Sequence, residues 1–129
     1  MFVPFDQIGG RESVERLAER FYDVMEATEP LLVALHDQDS PGKISRRSRD
    51  RFAMFLVGWL GGPQDYTAQN GHPRLRMRHA RVRVDVSMRD AWLRCMTQAM
   101  QLENIPPELR AFLEQRFAEV ADFMRNVEE

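Results

Sequence analysis

The sequence has few of the residues that mark several protein classes. Among its 129 residues there is one cysteine, which excludes an internal disulfide, and there is no cationic-then-apolar leader. No apolar run approaches the roughly 20 residues that a membrane-spanning helix needs. The formal net charge of −2 supplies no overall field that would hold the chain to nucleic acid or to an anionic membrane. We therefore expect a cytoplasmic protein that binds neither.

Motifs of the common metal and hydrolytic sites are also missing. The chain has no His-Glu-x-x-His sequence and no pair of cysteines for zinc. It has no Gly-x-Ser-x-Gly elbow and no glycine-rich phosphate loop. A dispersed Ser, His and Asp constellation stays open, although only three histidines are present, namely His36, His72 and His79.

Apolar residues at helical spacing predict an all-α fold. The length suits a single domain over residues 1–129, which could bury roughly two thirds of the surface of its unfolded chain. Stripes of the i, i+3, i+4 type predict four long helices at about 11–27, 44–60, 87–102 and 107–126. Pro30 suits a further short helical turn. We expect an apolar lead-in at 1–8 and a loop at 38–43. Residues 64–86 show no clear pattern, apart from an alternation from Arg81 to Val86 that we interpret as an extended loop.

The same spacing places individual side chains. Tyr22 lies on or beside the apolar stripe of the first long helix, so its hydroxyl is expected to point inward and to need a partner. Arg49, in the second long helix, is expected to face water. Ser87, with Asp90 three residues later, predicts the start of the third long helix through a variant of the capping box.

The stretch from Gly71 to His79 differs most from generic helix, because it combines two histidines, a turn signal and a run of arginines. His72 precedes Pro73 and suits a turn, whereas His79 shares a face with Leu75 if the segment is helical. Haem requires one axial imidazole, a large apolar slot and cations near its propionates. This stretch and the Met-rich, aromatic helix faces could together supply all three.

Other interpretations of the arginine run stay open. One is a solvated basic face. Another is a haem-free helical interaction module that binds an acidic partner through residues 74–83. A nucleic-acid patch is disfavoured, because the overall charge is negative and no aromatic residue is interleaved with the arginines.

With these residues in place, the chain resembles the second group of the truncated haemoglobins. The resemblance is carried by Gly61-Gly62-Pro63, by Tyr66, by Gly71 through His79 and by Arg89 through Met96. It implies a globin-like two-over-two helical sandwich around haem b. In that fold the first two long helices cross the last two, with the haem between them.

The resemblance also implies roles for individual residues. His79 corresponds to the proximal iron ligand through its Nε2 atom. Tyr22, His36 and Trp92 correspond to polar groups that face a bound ligand, and we call these three the distal residues. Ser48 falls where many globins place a distal histidine. The implied apolar contacts to the haem are Phe52, Phe55, Leu56, Leu75 and Met88. The implied partners of the haem propionates are Tyr66, Arg76 and Arg78.

The function implied by the resemblance is reversible binding of O2 and other diatomic ligands. Peroxidase-like activity or nitric oxide oxidation is a further expectation, with a reductase as electron donor and with the chain as a monomer or homodimer. Family members usually have tyrosine or phenylalanine at the position of His36. An imidazole there could hydrogen-bond the ligand, titrate near neutral pH or coordinate the iron.

Overall fold

The computed structural model describes residues 2–71 and 84–124, and the chain in these two ranges is mostly helical. The described elements, in chain order, are α1 (Pro4–Ile8), α2 (Arg11–Thr28), α3 (Pro30–Val33), β1 (Gln38–Ser40), β2 (Lys43–Ile44), α4 (Arg46–Trp59), α5 (Asp65–Asn70), α6 (Val86–Leu102) and α7 (Pro107–Met124). The predicted all-α fold is confirmed, and the four long helices lie close to the predicted ranges. Among the described helices, none is long and apolar enough to cross a membrane.

Helix α2 lies at the centre of the packing because one of its faces is apolar along its whole length. The buried residues of that face are Val14, Leu17, Ala18, Phe21, Tyr22, Val24 and Met25. The helix packs against α4 and against α6, and α6 packs against α7. Each large apolar side chain buried in this way stabilises the fold by roughly 1.5–3 kcal/mol. The site described below lies where α2, α4 and α6 meet.

The apolar lead-in forms the short helix α1, which packs on the end of α4. The backbone N–H of Phe5 donates to the carbonyl of Leu60 at 2.9 Å. Gly62 allows this close approach, since a Cβ atom there would lie 2.6 Å from Cδ1 of Phe5. Gly9 ends α1 in the left-handed region, with φ of 110°.

The loop prediction at 38–43 is wrong in part. Residues 38–44 form a two-stranded antiparallel ribbon, because the Gln38 side chain bonds both to the Val33 carbonyl at 3.0 Å and to the Gly42 N–H at 2.8 Å. Within residues 64–86, where the sequence pattern is unclear, Asp65–Asn70 form α5. Tyr66 is the buried residue of that helix, and its ring meets Phe55 of α4, which holds the helix against α4.

The start of α6 also differs from the prediction. Its N-cap is Asp85, whose carboxylate accepts a hydrogen bond from the Met88 N–H at 2.9 Å. Ser87 is exposed inside the first turn, and Asp90 accepts from Arg89 at 3.1 Å instead of completing a capping box. A carboxylate at the N-cap also interacts favourably with the helix dipole, which a serine hydroxyl does not match.

Replacement of Asp85 with alanine is therefore expected to lower the free energy of unfolding by about 1 kcal/mol, the usual cost of losing an N-cap. Ser87→Ala is the matched control, and its effect should stay within about 0.5 kcal/mol. Urea unfolding followed by circular dichroism measures both. A larger loss for Ser87→Ala than for Asp85→Ala would contradict the assignment of the cap.

Candidate functional site

Four of the site residues implied by the sequence lie outside the described residues. These are His79, Leu75, Arg76 and Arg78. The described part of the site is formed by α2, by the chain after α3, and by the facing sides of α4, α5 and α6. It contains the three distal residues, Ser48 and the remaining predicted apolar contacts.

Tyr22 is at the centre of the described site. Its side chain is buried on α2, and its ring centroid lies 5.7 Å from that of His36 and 5.5 Å from that of Phe52. Burial raises the pKa of the Tyr22 phenol well above its usual value, and the nearby positive charges of Arg49 and Arg51 offset this only in part. The phenol therefore stays protonated around neutral pH and can donate a hydrogen bond.

His36 is held by the backbone of α3. Its Nδ1 atom lies 2.7 Å from the Leu32 carbonyl oxygen. Because a carbonyl oxygen only accepts, we assign the proton of the neutral ring to Nδ1. Uptake of a second proton would then occur at Nε2, and the bond to Leu32 would be kept. The imidazole is half-buried and meets the Tyr22 ring edge to face.

Trp92 reaches the same cluster from α6. Its ring centroid lies 5.2 Å from that of Phe21 and 6.3 Å from that of Phe52. Phe52 thus contacts both Tyr22 and Trp92, although these two come from different helices. The structure brings Tyr22, His36 and Trp92 around a common aromatic cluster.

The remaining predicted contacts differ in their surroundings. Phe55 stacks beside Phe52 at 6.3 Å and meets the Tyr66 ring edge to face at 5.7 Å. Leu56 is fully buried in the core. Met88 is half-buried in the first turn of α6.

Ser48 lies in the first turn of α4 and is bonded to the N-cap residue of that helix. Its backbone N–H donates to the Ser45 hydroxyl oxygen at 3.0 Å, and its own hydroxyl oxygen accepts from the Ser45 hydroxyl at 3.1 Å. The side chain is half-buried, one helical turn before Phe52. Its role beside a bound ligand stays a prediction.

Large apolar side chains at the meeting point of α4 and α6 are not fully covered. Phe52, Phe55, Met88 and Trp92 are only half-buried, and all four pack against the buried core. Side chains of this size at the centre of a fold are usually buried more completely. A flat, largely apolar group is the kind of ligand that would cover them, so the residues present fit such a group.

Arg49 is the residue of this region that the sequence prediction placed wrongly. It is 8% exposed and does not face water. Its guanidinium pairs with three carboxylates of α2, those of Glu19, Asp23 and Glu26, at 2.8, 3.0 and 2.9 Å. We call these four residues the Arg49 cluster. The spacing of the acidic residues, which share one face of α2, was the signal that could have revealed it.

Comparison with known proteins gives truncated hemoglobins both by sequence and by structure. The sequence model of the family described as "Bacterial-like globin" matches residues 4–126. The group 2 truncated hemoglobin YjbI of Bacillus subtilis (strain 168) is 36% identical over 124 residues, which are 96% of this chain and 89% of that protein.

Two solved structures show the same likeness in three dimensions. A cold-adapted truncated hemoglobin from the Antarctic marine bacterium Pseudoalteromonas haloplanktis TAC125 is 38% identical, with a TM-score of 0.88, over 98% of this chain and 99% of that chain. A truncated oxygen-avid haemoglobin from Bacillus subtilis is 34% identical, with a TM-score of 0.86, over 97% of this chain and 100% of that chain.

Proposed function

Because this chain belongs to the bacterial-like globin family as a group II truncated haemoglobin, we propose that it is a haem b protein of the cytoplasm that reversibly binds O2 and other diatomic ligands. The family implies a haem cofactor. The observation that carries the proposal for this chain is that Tyr22 and Trp92 both contact the Phe52 ring, while His36 lies against the Tyr22 ring. Relatives support it, since one of them is an oxygen-avid haemoglobin.

The residues proposed to hold the haem have the chemistry that the group needs. His79 would supply one axial imidazole nitrogen. The phenol of Tyr66 and the guanidinium groups of Arg76 and Arg78 would bind the propionates. The apolar contacts proposed for the macrocycle are Phe52, Phe55, Leu56, Leu75 and Met88.

The distal residues are proposed to act as hydrogen-bond donors to the ligand. Haem supplies an iron atom that binds O2 and leaves the ligand with partial negative charge. The indole N–H of Trp92 can only donate, and the buried Tyr22 phenol is a donor because it stays protonated. Each donor to a partly charged acceptor contributes roughly 1.5–3 kcal/mol. Ser48 is proposed as a further, weaker polar neighbour.

We further propose redox activity of the peroxidase or nitric oxide-oxidising type at the same site, with a reductase as electron donor. His36 supports this proposal, because it places an imidazole, the most common side chain for proton transfer in enzymes, beside Tyr22. Turnover with peroxide and a reductant separates this activity from ligand storage alone. The chain is proposed to act as a monomer or homodimer.

Titration of the haem-free protein with haemin tests the cofactor proposal. We expect saturation at one haemin per chain, with a sharp Soret band. The alternative, a haem-free module that binds an acidic partner through residues 74–83, predicts a colourless protein and no saturation. Globin family membership favours the first outcome.

His36 gives a prediction for the pH dependence of O2 release. A proton taken up by His36 would add a donor at Nε2, because Nδ1 is already bonded to the Leu32 carbonyl. O2 dissociation should therefore become slower from pH 8 to pH 5, by roughly two- to tenfold, the value of about 0.5–1.5 kcal/mol for one hydrogen bond.

Stopped-flow displacement of O2 at several pH values measures this effect, and the ferric spectrum should shift over the same pH range. His36→Phe is the control, because it restores the aromatic residue usual in the family and removes the titrating group. A profile of the wild type that is flat and equal to that of His36→Phe would remove the proposed role.

A further inference from the structure

The guanidinium of Arg49 is unusually well bonded for a side chain in the first turn of a helix. Besides the three carboxylates of the Arg49 cluster, it donates to the carbonyl oxygens of Ile44 and Glu19, each at 3.3 Å. Glu26 in turn accepts from the Ile44 N–H at 2.8 Å. This network fixes the guanidinium against both α2 and the start of α4.

The three carboxylates of the Arg49 cluster lie on both sides of Tyr22 in the sequence of α2. They come from the positions three before, one after and four after Tyr22, so the guanidinium extends along the helix beside that residue. The Cζ atom of Arg49 lies 5.6 Å from the centroid of the Tyr22 ring, within the range of a cation–π contact. Arg49 also precedes Phe52 by three residues on α4, and Phe52 contacts the same ring.

Joining α2 to α4 does not by itself require a buried arginine. Arg46, three residues earlier, already forms an ion pair with Glu19 across the two helices, and its side chain is 57% exposed. Removing a cation from water has a desolvation cost that an exposed pair largely avoids. What burial of Arg49 adds, and what Arg46 lacks among the described contacts, is a fixed contact with the Tyr22 ring.

We propose that Arg49 is a positioning residue of the distal pocket, which holds the Tyr22 ring between α2 and α4 and so sets the direction of its hydroxyl toward the bound ligand. This inference rests on the proposed function for its effect on ligand release. The fixing of the ring itself is a property of the protein that can be measured without a ligand.

The first test uses the two tyrosines of the chain, Tyr22 and Tyr66. In protein labelled with 13C in the tyrosine rings, Arg49→Lys should shift and broaden the NMR signals of Tyr22 and leave those of Tyr66 unchanged. Tyr22→Phe assigns the signals. Lysine keeps the charge and loses the planar fork that bonds several acceptors at once. Unchanged Tyr22 signals would overturn the inference, whatever the ligand chemistry.

The second test measures O2 dissociation and the infrared C–O stretch of the CO complex. Arg49→Lys should speed O2 dissociation by about fivefold, in the range of couplings between contacting residues, and should shift the C–O band. In the Tyr22→Phe background the same substitution should change neither. Arg46→Lys is the matched control and should leave both near the wild-type values, because the exposed Arg46 pairs with Glu19 and Asp50.

The outcomes separate the inference from the proposed function. An equal acceleration by Arg49→Lys with and without the Tyr22 hydroxyl would show a general structural effect and overturn the inference. A wild-type protein that binds neither haem nor O2 would overturn the function, and the NMR comparison would still decide the role of Arg49. If Arg49→Lys does not fold, Asp23→Asn loosens the same cluster at a half-exposed carboxylate and should give smaller shifts in the same direction.

Discussion

Replacing His79 with alanine is expected to abolish stable haem binding. The reason is that one imidazole nitrogen is the proposed protein bond to the iron, and the remaining contacts to the macrocycle are apolar or lie at its propionate edge. We expect haem affinity to fall by about 100-fold or more, which corresponds to roughly 3 kcal/mol. Haemin titration and the Soret band of protein expressed with added haem precursor measure the loss.

His72→Ala is the matched control, because it removes the other histidine of the same stretch, between Gly71 and Pro73. It should retain haem at the wild-type level. Added imidazole should restore part of the haem binding of His79→Gly, since it can occupy the space of the missing side chain. A His79→Ala protein with full haem content and an unchanged Soret band would refute the axial assignment.

The next largest effects are expected at Tyr22 and Trp92. Each of the variants Tyr22→Phe and Trp92→Phe removes one donor, and loss of roughly 1.5–3 kcal/mol corresponds to an O2 dissociation rate about 10- to 100-fold higher. Phenylalanine at position 22 keeps the ring that packs between His36 and Phe52. The substitution therefore isolates the hydroxyl from the packing.

Stopped-flow measurements should show the change in dissociation with little change in association. Tyr66→Phe is the control, because it removes the second phenol, which is proposed to bind a propionate, and its dissociation rate should change by less than about twofold. The effects of Tyr22→Phe and Trp92→Phe need not add, since members of one polar network are coupled. If both single variants stay within about twofold of the wild type, the donor account fails.

The helices could be predicted from the sequence because their signal is local. The stripe from Val14 to Met25 recurs at helical spacing, and α2 occupies almost the predicted range. The first residue of a helix was harder to predict from the sequence, because the N-cap depends on the geometry of a single residue. The sequence predicted the helix to start at Ser87, and only the structure shows that Asp85 accepts from the Met88 N–H as the N-cap.

Features that depend on distant partners were missed or came from the family resemblance. Arg49 seemed a water-facing arginine because its three carboxylates lie more than 20 residues away in sequence, on another helix. The convergence of Tyr22, His36 and Trp92 came from the resemblance, since no local pattern joins residues of three different segments. The structure adds their ring distances and the buried state of the Tyr22 phenol.

The central claim, a globin that reversibly binds O2, is tested most directly by the absorption spectrum of the haem-loaded, reduced protein. Spectra are recorded under argon, then after addition of O2, and again after O2 is removed. The account predicts a distinct oxygenated spectrum that returns to the first one over repeated cycles. Absence of any spectral change with O2, or complete conversion to the ferric form at the first exposure, would contradict it.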